Sequence, residues 1–279
     1  MYSMSGFQQY HAGEKMADAT EIDDRQMKIS VVTAVYRAEN TITQAIKSVA
    51  SQTYPNVEHV VVDGASPDGT LDAIRAHQTE NMVVSSEPDN GIYDALNKGI
   101  MQASGEVIGI VHSDDFLAHP QVLERVAKAF CDPSVDAVYG DLDYVSKDNT
   151  SRIIRHWRAG AYERRKLSLG WMPPHPTLFL RRRVFEAHGL YDTSYRIAAD
   201  YDAVLRYFGS GGIKAVYLPE VLVKMRVGGE SNKSLRKIWQ KTQEDYRALR
   251  QNGVGGLGAL TVKNLSKAPQ FLKKSTAVH

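Results

Sequence analysis

Several large protein classes are excluded by what this chain lacks. It has one cysteine, Cys131, in 279 residues, so neither a disulfide framework nor a cysteine-rich metal site can form. A lone thiol fits a reducing cytoplasm. No apolar run approaches the ~20 residues that a membrane-spanning helix needs. Residues 1–26 mix Gly, Gln, Asp and Glu without the apolar core of a signal peptide, and read as a flexible extension. The net charge is only +2, which supplies no global field for nucleic acid, so no nucleic-acid partner is expected. P-loop and metalloprotease helix motifs are missing. Gly253, Gly255 and Gly258 match a dinucleotide pattern, but they follow a charged helix and not a strand, so the phosphate turn has no context. No internal repeat is visible.

The rest is ordinary for a soluble globular protein, with 43% hydrophobic and 24% charged residues. Charge is unevenly placed. From Lys233 onward ten Lys and Arg face only Glu244 and Asp245, a net +8, which leaves −6 on the body. Residues 233–279 therefore read as a basic helical tail. Its positive face suits either an anionic membrane surface or plain solvation.

The most informative stretch is Gly105-Glu106-Val107-Ile108-Gly109-Ile110-Val111-His112-Ser113-Asp114-Asp115-Phe116-Leu117. An apolar run suited to a doubly covered parallel strand ends in two adjacent carboxylates. Acids at such a strand end lie where open α/β sheets bind ligands. Two like charges side by side need a cation or donors, and Mg²⁺ or Mn²⁺ carrying a diphosphate is a natural partner. A solvated strand end or a helix cap before Pro120 is the plainer alternative.

Periodicity extends this pattern. Strands are expected at 27–36, 57–62 and 82–85, separated by helices beginning near Glu39, Thr70 and Pro88. Three alternations indicate right-handed βαβ units. Thr33 and Tyr36 fall near the first strand's end, and Asp63 ends the second, which is expected to lie beside the strand carrying Asp114. Asn90, Tyr93, Asn97 and Lys98 can face the same crevice. Further on, a helix is expected at 120–130, strands at 136–144, 151–157 and 177–180, a helix at 183–188 and an acid-headed helix at 197–206. Residues 213–218 and 221–227 read as paired strands, and 233–250 as a basic amphipathic helix.

Four segments then carry a resemblance. Ser30-Val31-Val32-Thr33-Ala34-Val35-Tyr36, Val62-Asp63-Gly64-Ala65-Ser66-Pro67-Asp68-Gly69-Thr70 and Ser113-Asp114-Asp115 resemble, in order and spacing, family 2 glycosyltransferases of the GT-A fold. Asp89-Asn90-Gly91-Ile92-Tyr93-Asp94-Ala95-Leu96-Asn97-Lys98-Gly99 looks like the branch that builds bacterial exopolysaccharides and O-antigens. The resemblance covers about 28 to 230. It implies an α/β GT-A (Rossmann-like) mixed, mainly parallel sheet flanked by helices, with a C-terminal helical extension. The domain would span 27–232, with a nucleotide-binding half at 27–117 and an acceptor half at 118–232.

The implied activity is inverting transfer from a nucleotide-diphosphate sugar, most naturally a UDP-sugar, to a hydroxyl of a glycan or lipid-linked acceptor. The hexosyl or N-acetylhexosaminyl product would enter cell-surface polysaccharide. The enzyme would be cytoplasmic, with peripheral contact at the inner membrane face through the basic tail. By the resemblance, Asp63 and Asp114 bind the nucleoside, Asp115 binds a Mn or Mg cation, and the base is an acid heading a later helix. That segment is Ala199-Asp200-Tyr201-Asp202, where Ala199 departs from a Glu-Asp pattern; Asp200 is the favoured base and Asp202 the alternative. Thr33, Tyr36, Asn90, Asn97 and Lys98 complete the donor-side set. Arg226, or the residues Gly228-Gly229-Glu230-Ser231, could close over the diphosphate or simply form a hairpin exit. His175 could line the acceptor side or stiffen its proline loop.

The residues suit this chemistry on their own. Inversion needs one carboxylate to deprotonate a hydroxyl and charge stabilisation on the departing diphosphate, which a metal supplies as Lewis acid. A sugar nucleotidyltransferase would also use acids and a metal, but Tyr36-Arg37-Ala38-Glu39 has none of the glycine its phosphate loop needs. A non-catalytic interaction domain on a degenerate transferase scaffold is the third reading; the retained acids oppose it and Ala199 favours it.

Overall fold

The computed structural model describes residues 27–227, 235–256 and 258–261. The extension at 1–26 and the loop 228–231 lie outside the described residues. So do 257 and 262–279 of the tail.

Four β-branched or apolar runs form parallel strands: β1 (Ile29–Val35), β2 (Val57–Asp63), β3 (Met82–Ser86) and β4 (Val107–Ile110). Helices α1 (Ile42–Ala50), α2 (Thr70–Ala76) and α3 (Ile92–Gln102) connect them. The remaining strands are β5 (Phe116–Leu117), β6 (Ala137–Val145), β7 (Ile153–Trp157), β8 (Phe179–Arg181) and β9 (Ala215–Arg226). All nine belong to one mixed sheet of order β3-β2-β1-β4-β8-β6-β9-β5, with β7 paired to β6. Helices α4 (Val122–Ala129), α5 (Arg164–Leu167), α6 (Arg182–His188), α7 (Ala199–Gly209) and α8 (Leu235–Gln251) complete the chain.

Alternation along each strand divides the core into two layers. Val32, Val60, Val62 and Ile108 pack with α3, α6, α7 and α8. Ile29, Val31, Val61 and Val107 pack with α1, α2 and α4. Gly99 lets α3 lie directly on β1, since a methyl there would collide with Val32. Because α1 and α3 cover opposite faces, the sheet reverses winding between β1 and β4. The crevice above that reversal is where such sheets bind ligands.

Three expectations need correction. The strand expected to end in the Asp114-Asp115 pair stops at Ile110; the chain turns at His112, whose carbonyl accepts from Asp115 N, and Phe116–Leu117 then pairs with β9. The paired strands expected at 213–218 and 221–227 are one strand, β9, parallel to β6. Its ladder slips at Gly140/Asp141 and Asp141/Leu142, opposite Pro219, which has no N–H to give, so the interruption appears as a bulge and not a turn. Finally, β2 is not beside β4: β1 lies between them, so Asp63 and Asp114 are two strands apart.

Candidate active site

Parallel strands bring their C-terminal ends to one edge, which gathers Tyr36, Asp63, Ser86 and the turn His112–Asp115. On the other side of this cleft, α7 presents its first turn, with Asp200 and Asp202.

The acids at the end of β4 have opposite fates. Asp115 is 0% exposed. Its Oδ1 accepts from Arg226 N at 3.2 Å, and its Oδ2 is buried without a partner. Burial first, and then the Asp114 charge, push its carboxyl well above the usual carboxylate range. Asp114 is partly exposed, and its side chain takes no hydrogen bond among the described residues; only its backbone carbonyl is engaged, by the Arg226 guanidinium. Asp115 thus keeps one buried oxygen without a hydrogen-bond partner, while Asp114 faces the cleft.

The other expected donor contacts are mostly committed to the fold. Thr33 is buried, donating to the Val111 carbonyl at 2.8 Å and meeting His59 Nε2 at 3.0 Å. Asp63 is buried too, accepting from Ser66 N and from Ser86 Oγ at 2.6 Å. Asn97 clips the backbone of Tyr191 with both ends of its amide. Lys98 pairs with Glu87 at 2.9 Å and Asp94 at 3.7 Å and donates to the Pro88 carbonyl. Asn90 folds back on Asp94. Arg226 is buried and ties the Asp114 carbonyl to Gln44. Of this set Tyr36, 56% exposed, and the exposed Asn90 stand open on the rim with Asp114.

The pair on α7 divides in the same way. Asp202 is buried, bonded to Arg206 through Oδ2 and to Asn252 Nδ2 at 2.8 Å through Oδ1. Asp200 is partly exposed; its Oδ1 accepts from Tyr201 N at 2.8 Å and lies 3.5 Å from the Tyr93 hydroxyl. Burial, and next the Asp200 charge, raise the Tyr93 phenol well above its ordinary value, so it stays protonated. Around Asp200 sit His175, whose Nε2 meets the Tyr191 hydroxyl at 2.7 Å, and His112, 6.0 Å from His175 between ring centres. Burial lowers the His175 pKa to about 4 and lowers that of His112, and the nearby Asp200 charge opposes both shifts. Asp114 acts on His112 as well, so that ring stands between the two open acids.

Three participants were not singled out from sequence. His112 was visible as the residue two before Asp114 at the strand end. Tyr191 had no signal beyond its Gly189-Leu190-Tyr191-Asp192 turn. Glu244 is the third: α7 has no side-chain cap of its own, and Glu244 of α8 accepts instead from Ile197 N at 2.8 Å and Ala198 N at 2.9 Å.

Among the described residues no group of three or more His, Cys, Asp or Glu could cage a metal. Asp114 beside His112 fits a cation held mainly by a diphosphate, which typically takes one or two carboxylates from protein.

An open α/β sheet with acids on both sides of its winding reversal places a ligand crevice at the carboxyl ends of its strands. The chain belongs to glycosyl transferase family 2, whose family model matches residues 30–189. It is 31% identical over 219 residues to a PGL/p-HBAD biosynthesis glycosyltransferase of Mycobacterium bovis, covering 76% of this chain and 82% of that protein. Among solved structures it is similar to S. aureus TarS residues 1–349 in complex with UDP-GlcNAc, with a TM-score of 0.63 and 21% identity over 82% of this chain and 66% of that one. A longer TarS chain is matched over only 39% of its length. The mannosyltransferase PcManGT of Pyrobaculum calidifontis, in complex with GDP-Man and Mn²⁺, gives a TM-score of 0.60 at 19% identity over 89% of this chain and 76% of that one. These likenesses support the GT-A fold expected from sequence.

Proposed function

We propose that this chain is an inverting, metal-dependent glycosyltransferase that moves a hexosyl or N-acetylhexosaminyl group from a nucleotide-diphosphate sugar, a UDP-sugar first, to a hydroxyl of a glycan or lipid-linked acceptor. The observation that carries this is the pairing of one open acid on each side of the cleft, Asp114 and Asp200, each beside an acid locked into the fold. Asp114, and not Asp115, is the carboxylate that would hold a Mn or Mg cation, which supplies Lewis-acid stabilisation of the departing diphosphate. Asp200 takes the acceptor proton: its Oδ1 is fixed by Tyr201 N in the first turn of α7. His175 and Tyr191 shape the wall beside it. With one base and no enzymic nucleophile, a single displacement inverts the anomeric carbon.

The setting in cell-surface polysaccharide synthesis, of the exopolysaccharide or O-antigen kind, remains part of this proposal, as does the division of 27–232 into donor and acceptor halves. Peripheral contact with a cytoplasmic membrane face is supported by α8, where Trp239 is 65% exposed and Arg236 and Arg250 are exposed on the same side. No helix among the described residues is long and apolar enough to cross a membrane.

The test is Asp200→Asn. It is expected to lose transfer by several orders of magnitude while still binding donor, with an inverted product from the wild type by NMR. An active Asp200→Asn enzyme, or a retained product, overturns the mechanism.

A further inference from the structure

On the donor rim, Asp63 cannot read a nucleoside because its carboxylate is consumed by Ser66 and Ser86. A different carboxylate stands in the open beside it. Asp89 follows β3, and its Oδ1 accepts from Gly91 N at 2.8 Å, which fixes the side chain at the start of α3. Its Oδ2 accepts no hydrogen bond among the described residues.

That free oxygen lies against the backbone of Gly64, at the end of β2. A methyl on Gly64 would collide with Asp89 Oδ2 and come 3.1 Å from Asp89 Cγ, and it would lie 3.5 Å from the Tyr36 ring. Glycine at 64 therefore leaves the space that the Asp89 carboxylate fills. Three strand ends thus converge: Tyr36 from β1, Gly64 from β2 and Asp89 from β3. Two neighbouring residues without a glycine's freedom, Arg37 and Ala65, hold positive φ of 53° and 56°. Arg37 N is held by Ser66 Oγ at 2.9 Å, which fixes this rim. The result is an exposed aromatic face beside a fixed carboxylate oxygen.

We infer that Asp89, seated in the gap left by Gly64, is the residue that reads the donor's base, and that it selects a base carrying a ring amide N–H. The inference rests on the donor-site reading above. A planar base placed on Tyr36 turns its edge toward Asp89 Oδ2. An ionised carboxylate only accepts. It bonds uracil N3–H, or guanine N1–H, and it repels the lone pair on cytosine N3. Selection arises from both the bond made and the repulsion avoided.

Two substitutions reach the same oxygen by different routes. Asp89→Asn keeps an Oδ1 for Gly91 N–H, so the start of α3 survives, but puts an amide donor where Oδ2 was. Gly64→Ala leaves the carboxylate chemically intact and displaces it; Gly64 has no positive φ, so the backbone accepts alanine.

Calorimetric titration with UDP, CDP and pyrophosphate, each with Mn²⁺, tests this on the full chain, with thermal melts as the folding control. The wild type is expected to bind UDP over CDP by roughly ten- to hundred-fold, the range for a hydrogen bond to a charged group. Asp89→Asn and Gly64→Ala should each collapse that ratio toward one, the double variant should add little to either, and pyrophosphate affinity should not change. An unchanged UDP-to-CDP ratio in Asp89→Asn, with pyrophosphate still bound, overturns the base-reading role alone. Failure of the wild type to bind any of the three overturns the donor-site reading beneath it.

Discussion

The turn after β4 and the first turn of α7 each carry two acids, and the two regions separate them by different means. Asp114 and Asp115 lie in the turn between β4 and β5, and the turn sends their side chains into different surroundings. One faces the cleft; the other turns under β9 and meets Arg226 N. At Asp200 and Asp202 the spacing of two residues on a helix is roughly 200°. One acid meets the cleft and the other is pinned by Arg206 and Asn252. The strand-end pair hides an acid whose carboxyl burial holds protonated far above its usual range. The helix pair hides an acid that remains bonded to a cation. The lesson is that proximity in sequence marks where a site is, while the backbone geometry decides which acid serves it.

The largest expected effect that distinguishes the two strand-end acids is on metal binding. Asp114→Asn should abolish Mn²⁺-stimulated donor binding, as measured by titration with and without chelator. Asp115→Asn keeps an acceptor for Arg226 N and should retain that binding within a few-fold. Equal losses would mean that Asp115 also reaches the cation.

On the helix side, Asp202→Asn breaks an ion pair whose carboxylate is buried and whose guanidinium is partly exposed. It should lower stability by about 3 kcal/mol in denaturant melts, while the folded fraction retains donor affinity. No loss of stability would contradict the locked role given to Asp202.

A smaller effect should come from Glu244, which caps α7 from α8. Glu244→Ala is expected to cost about 1 kcal/mol and to lower kcat more than it raises KM, because the first turn of α7 carries Asp200. Glu244→Gln should recover most of both. Failure of Gln to rescue would point to the charge itself and not the cap.

The mildest expectation concerns pH. Burial lowers the pKa of both His59 and His175 from 6.5 to about 4. A depressed pKa adds stability that is present above pH 6.5 and is lost as pH falls toward 4. Melting temperatures should drop across that window, and the slope should lessen in His59→Gln, whose site is remote from Asp200. An unaltered slope would remove His59 as a source.

Much of the fold was legible because β-branched runs and helical apolar stripes alternate cleanly up to Ile110. The bent β9 was not, since Pro219-Glu220 looks like a turn and only the partner strand shows it as a bulge. The site was half legible. Acids at strand and helix ends mark the cleft, but which of them is sealed depends on contacts such as Arg226 with Asp115, 111 residues apart. Asn97 and Lys98 read as crevice residues because α3 faces it; their partners, the Tyr191 backbone and Glu87, were not predictable from spacing.

The most direct test of one open acid per pair is the turnover of four asparagine variants side by side, at saturating donor and Mn²⁺ and corrected for folded fraction. Asp114→Asn and Asp200→Asn should fall by at least about a thousand-fold, while Asp115→Asn and Asp202→Asn should stay within about ten-fold of wild type. A collapse of Asp115→Asn or Asp202→Asn beside an active partner variant would contradict the account.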